Sequence, residues 1–206
     1  MRLNPNLGRL LVAVVMLVTL GIAGCGVDPG AAGCAIREIN QAFQIEYEKV
    51  LAELGVRRFK VRRADAFVAL HATLARFGMR IVDQDPDLGT MVVDAPAPRP
   101  LDADEWRKVG ESDLPRLREL AARCVGPLRT QMIRFEPEGL EVVIHVTVVE
   151  VAGESEVALT ARMSEIAPPA SGMPRREYLP PSATRMALVK IWAQMEAELR
   201  AARRIP

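Results

Sequence analysis

The chain is poor in the residues on which most site chemistry depends. Its 206 residues include two histidines, three cysteines and nine aromatics, of which two are Trp and two Tyr. His71 and His145 are isolated, and neither stands at metal-ligand spacing from a cysteine, so both read as core or surface histidines and no metal is assigned. No CxxC occurs, which leaves redox catalysis unsupported. GxSxG, HExxH and a Gly-rich phosphate loop are all missing, and no Ser or Cys stands in a nucleophile context with His. The carboxylates are plentiful but scattered, so no catalytic residue and no cofactor is assigned; only a hydrolase built on two pKa-shifted carboxylates would escape such a reading. An excess of charge is also missing. The formal net charge is +1, and without Arg2 and Arg9 the remainder holds 25 basic and 26 acidic residues. With no basic face and 4% aromatics, nucleic acid is not expected as a partner.

What is present begins with an address. Arg2 and Arg9 precede an apolar run over residues 10–20, broken only by Thr19, and small residues follow. This is the order of a secretory signal, and the run is short of the ~20 apolar residues a bilayer-spanning helix needs. The next four residues, Ile22-Ala23-Gly24-Cys25, resemble the bacterial lipobox. The resemblance implies that Ile22, Ala23 and Gly24 are read by the signal peptidase and that residues 1–24 are removed. It also implies that Cys25 carries diacylglycerol and an acylated amino group. Two or more acyl chains give the stable anchoring that one does not. Gly26 stands where an Asp would imply inner-membrane retention, so an outer-membrane lipoprotein facing the periplasm is expected. A second small-residue box ends at Cys34, but its first position is Ala31, and Asp28 and Pro29 separate it from the apolar run.

Behind the anchor, residues 25–34 read as a Gly/Ala tether and 35–55 as a helix. Ile36, Ile39, Phe43, Tyr47, Val50 and Leu54 fall on one face of it, with Gly55 as its stop. Residues 56–206 read as a single α+β domain. Residues 56–61 are a predicted strand, and a helix with the stripe Phe67, Leu70, Leu74 and Phe77 follows, ended by Gly78 and Met79 in a Schellman pattern. MRIVDQ and TMVVDA flank the turn DPDLG as a hairpin. APAPRP is a rigid connector, and 101–126 is a helical insertion of two short helices. Three strands are predicted next: QMIRFEP, then LEVVIHVTVVEV with its even positions apolar, then EVALTARMSEI. The Pro-rich loop APPASGMPRREYLPPS is predicted to hold no regular structure. Ser182 then caps a last helix with Met186, Val189, Ile191, Trp192, Met195 and Leu199 on its apolar side. The order β-α-β-β, helical insertion, β-β-β, long helix implies a curved antiparallel sheet with one wet face, gripped on the other by helices.

The stretch RRFKVRRADAFVALHATLARFGMRIVDQDPDLGTMVV resembles a pattern of small Gram-negative lipoproteins. Its marks are Arg58 and Phe59, Ala69 and Leu70, Leu74 with Gly78 and Ile81, then Asp85 and Gly89. The globular domains of the β-barrel assembly lipoprotein BamC have a comparable helix-grip topology. The resemblance spans about 40 residues, implies fold and compartment, and carries no catalytic residue.

With Cys25 acylated, Cys34 and Cys124 remain, in a compartment that is oxidising. They read either as a disulfide closing a loop of about 90 residues, worth roughly 4–5 kcal/mol, or as two separate thiols with Cys124 buried on its helix. Asp83, Asp85, Asp87 and Asp94 fall in an EF-like register, but Pro86, Leu88 and the flanking strands favour a plain hairpin turn. Arg175, Arg176 and Tyr178, set among prolines, are candidate partner contacts. Arg62 and Arg63 face either lipid phosphates or solvent. The expected role is that of a non-catalytic accessory or scaffold, bound to the bilayer through Cys25 and to another envelope protein. A carrier or sensor of an apolar ligand held between the last helix and the sheet is the alternative, and a large dry cavity there would favour it.

Overall fold

The computed structural model describes residues 28–167, 177–178 and 180–205. The signal segment, the lipobox residues Ile22, Ala23, Gly24 and Cys25, and the loop residues Arg175 and Arg176 lie outside them, as does the side chain of Tyr178. The architecture is α+β: an antiparallel sheet packed by helices, the last of which is C-terminal.

Helix α1 spans Pro29–Leu54 and so absorbs most of the expected tether. Asp28 caps it by accepting the amide of Ala31 at 2.9 Å, and Pro29 occupies its first turn. A side-chain cap, an N1 proline and three alanines outweigh Gly30 and Gly33. Strand β1 (Val56–Phe59) leads into α2 (Arg63–Arg76), which closes as the pattern implied. Gly78 has φ +70°, its amide bonds Ala75 O, and the amide of buried Met79 reaches Leu74 O at 3.1 Å. Strands β2 (Arg80–Asp85) and β3 (Thr90–Pro96) form the hairpin. Gly89 is required there: it has φ +73°, and a Cβ would lie 2.1 Å from Val148 O.

Helix α3 (Ala103–Val125) is one continuous helix, where two short ones were expected. Asp102 and Glu105 form a reciprocal capping box at its start. Pro115 interrupts the amide ladder on the exposed side, so the helix continues past it. A single turn, α4 (Pro127–Thr130), follows. The expected strand over 131–137 does not form. Ile133 and Phe135 turn instead toward Phe43, Tyr47, Leu117 and Leu120. Phe135 stacks on Trp106 at 4.6 Å, and its carbonyl accepts the indole N–H. Backbone groups that a neighbouring strand would have paired are taken by helix side chains, since Arg118 donates to Ile133 O at 3.2 Å.

Strands β4 (Leu140–Val151) and β5 (Glu154–Glu165) make the long central hairpin, and β6 (Glu177–Tyr178) is a two-residue strand inside the loop expected to be irregular. Strand order is β1-β5-β4-β3-β2, every pairing antiparallel; β6 lies against Met163 and Ser164, on the same edge of β5 that β1 takes farther back. Helix α5 spans Pro181–Ala201. Its N-cap is Pro180 rather than Ser182, and Val189, expected on its apolar side, is exposed.

Leu140, Val142, Ile144, Val146 and Val148 point into one core with Phe67, Leu70 and Leu74 of α2 and Leu188, Ile191, Trp192 and Met195 of α5. Phe43 and Tyr47 of α1 meet Leu117 and Leu120 of α3 in a second, smaller core beside it. Alternate strand residues face outward: His145, Thr147, Val149, Thr160 and Arg162 are exposed.

Candidate functional site

Of the cysteines, the structure joins Cys34 to Cys124, with 5.8 Å between Cα atoms across a separation of 90 residues. The bond ties the second turn of α1 to the last turn of α3. The pairs Glu38–Arg123 and Phe43/Tyr47–Leu117/Leu120 follow it in antiparallel order. Cys124 is half-buried. Just beyond it the chain turns through α4, and the tip of this helix pair displays Leu128 and Met132, 87% and 80% exposed.

The space between α5 and the sheet is lined by apolar side chains, among them Trp106, Val142, Ile144, Met163, Leu188 and Ile191. Its volume is ≈ 30 Å³, about that of one water. At that size the pocket is far smaller than a ligand site.

The described residues bring a hydroxyl and a carboxylate together at Asp113. The Ser182 hydroxyl donates to Asp113 Oδ1, the Ser182 amide donates to Oδ2 at 3.2 Å, and Ser112 lies 3.2 Å from the same hydroxyl. Burial raises the Asp113 pKa, the two bonds from Ser182 oppose the rise, and the charge of Glu46 adds to it. No imidazole takes part in these bonds, and both carboxylate oxygens are occupied by Ser182. Asp113 therefore acts as a cap supplied from α3 to the first turn of α5. Sequence reasoning missed it, because the partners lie 69 residues apart and neither belongs to a motif.

The acidic turn is a hairpin turn. Asp85 Oδ1 accepts the amides of Asp87 and Leu88, each at 2.9 Å, while Asp94 is held by the Arg80 guanidinium. That pairing lowers the Asp94 pKa. Among the described residues no group of three or more His, Cys, Asp or Glu is placed to hold a metal. Arg63 donates to Asp87 O at 2.7 Å and Arg62 bonds Asp65. Asp65 is shared with Arg204 at the rim of a shallow polar cleft that Lys60 and Arg203 also line.

Among the described residues, two surfaces display exposed apolar side chains. The first is the outer face of the sheet. Cross-strand registry sets Val149 beside Glu156, His145 between Thr160 and Val92, and Thr147 beside Ala158, whose other neighbour is Val56. Arg58 is paired with Glu156 at one end of this face and Arg80 with Asp94 at the other. The second is the tip at Leu128 and Met132. No helix of the described residues is long and apolar enough to cross a membrane. No family model, curated protein or solved structure matches the chain.

Proposed function

We propose that this chain is a lipid-anchored outer-membrane lipoprotein whose periplasmic α+β body is a non-catalytic scaffold, holding another envelope protein against the outer face of its sheet. The observation that carries the reading is the contrast between its inside and outside. Among the described residues, the apolar pocket between α5 and the sheet holds only ≈ 30 Å³, far below what an apolar ligand fills. The outer sheet face, by contrast, displays valines, threonines and a histidine between two ion pairs. That mixture of apolar and hydrogen-bonding side chains is ordinary for a protein–protein interface. The resemblance of residues 57–93 to a pattern of small Gram-negative lipoproteins supports the same compartment, and Cys25 supplies the anchor.

Two measurements test this. Cys25→Ser abolishes palmitate labelling; persistent labelling refutes the anchor. A photo-crosslinking residue at Val149 or Thr160, in cells, yields one crosslinked envelope protein, and that crosslink from Thr160 is lost in a Val149→Asp background. Crosslinks that arise from Val68 on the exposed side of α2 but not from the sheet face refute the assignment of the surface.

A further inference from the structure

The tip of the α1–α3 pair is where the chain leaves toward its anchor. Only Gly26 and Val27 lie between Cys25 and Asp28, three peptide steps with a reach of at most about 11 Å. An acylated Cys25 sits at the boundary between headgroups and acyl chains, so the first turn of α1 is held close to the bilayer surface. Cys34 stands five positions after Pro29 in the helix, about 7.5 Å along the axis. The disulfide then sets Cys124 at 5.8 Å, and Leu128 follows four residues on, within about 14 Å of chain. Leu128 and Met132 are the most exposed large apolar side chains among the described residues, and both belong to this anchored end. Exposed Arg129 stands between them in sequence. Among the described residues at this end, the carboxylates of Glu38 and Glu119 face Arg123 at 3.7 and 3.8 Å, and that of Asp28 caps α1.

We infer that the 127–132 tip is a second membrane contact: Leu128 and Met132 insert into the headgroup–acyl boundary, Arg129 meets lipid phosphate, and the Cys34–Cys124 bond keeps this tip beside the acylated end. The inference rests on the proposed anchor at Cys25. Apolar insertion beside a lipid chain adds to membrane affinity and fixes the angle at which the body leaves the surface. The occupant is lipid because the anchor's short reach brings this end of the molecule to the headgroups. The opposite end of α1 stands about 39 Å away along the helix axis.

The test uses the acylated full-length protein in vesicles of phosphatidylethanolamine and phosphatidylglycerol, with and without brominated acyl chains. Tryptophan is introduced singly as Leu128→Trp, Met132→Trp or, as a control at the far sheet edge, Leu88→Trp. Native Trp106 and Trp192 are buried and give a constant background. Circular dichroism checks that each variant is folded. Indole at 128 and 132 is expected to shift to the blue and lose about half its emission to brominated lipid, as interfacial depth implies, while indole at 88 does neither. Protein that floats with the vesicles but shows unquenched indole at 128 and 132 overturns the inference and leaves the anchor standing. A blue shift that depends on protein concentration without lipid quenching overturns it in favour of a contact between copies. Protein that neither floats nor carries palmitate shows that the anchor reading itself has failed, and the tip contact with it.

Discussion

Removing the Cys34–Cys124 bond isolates the thermodynamic role of the element that ties α1 to α3. The bond closes a loop across 90 residues. In the chain-entropy model the unfolded state then regains about 15.5 cal/mol/K, or ~4.6 kcal/mol at 25 °C. Little native contact is lost with it, because Phe43, Tyr47, Leu117 and Leu120 still hold the two helices together. The cost therefore falls almost wholly on the unfolded side. With a urea m-value near 2 kcal/mol/M, the midpoint of Cys34→Ala/Cys124→Ala should fall by ~2.3 M relative to the oxidised parent. The assay is equilibrium urea unfolding of residues 26–206, followed by circular dichroism. Thiol titration confirms that the parent has no free cysteine. Reductant should bring the parent to the variant's curve and leave the variant unmoved. A midpoint shift below ~0.5 M, about 1 kcal/mol at that m-value, would refute the reasoning: the loop ends would then already be close in the unfolded chain, or the bond would not form.

Three further outcomes follow from single positions. Gly89→Ala should cost about 2–4 kcal/mol, since φ is +73° and the new Cβ meets Val148 O at 2.1 Å; a thermal midpoint equal to the parent's would contradict this. Leu70→Ala should cost about 2–5 kcal/mol, whereas Val68→Ala, two residues away and 66% exposed, should stay within about 0.5 kcal/mol of the parent; equal losses in denaturant would show that the burial pattern of α2 is wrong. Asp113 has a native pKa raised by burial. Between the ordinary carboxylate value near 4 and that raised value, the native state binds more protons than the unfolded one, so stability from this group falls as pH rises. Asp113→Asn should flatten that part of the stability–pH curve, and parallel curves would exclude the assignment.

The legible parts of this protein are those where periodicity and caps act locally. The even positions of β4, the stripe Phe67-Leu70-Leu74 and the Schellman stop at Gly78 are each determined by residues within a few positions of one another. The start of α1 was legible in principle too, since Asp28 and Pro29 form an N-terminal signature; the glycines beside them obscured it. The single helix through Pro115 was not, because whether a missing amide breaks a helix depends on which side faces solvent.

Segment 131–137 marks the limit most clearly. Met132, Arg134 and Glu136 alternate with Ile133 and Phe135, as in a half-buried strand, yet the segment packs on two helices. A period of two says that one side is buried and leaves open against what. Local sequence is enough for the α+β class and for the apolar faces, because each arises from neighbours along the chain. Tertiary structure was needed to decide that Cys34 meets Cys124, that Asp113 caps a helix 69 residues away, that the described pocket under α5 holds only ≈ 30 Å³, and that Leu128 and Met132 stand at the end of the α1–α3 pair. These are juxtapositions across long loops. Closing such loops is opposed by chain entropy, and burial of the whole core, rather than any local pattern, sets which residues meet.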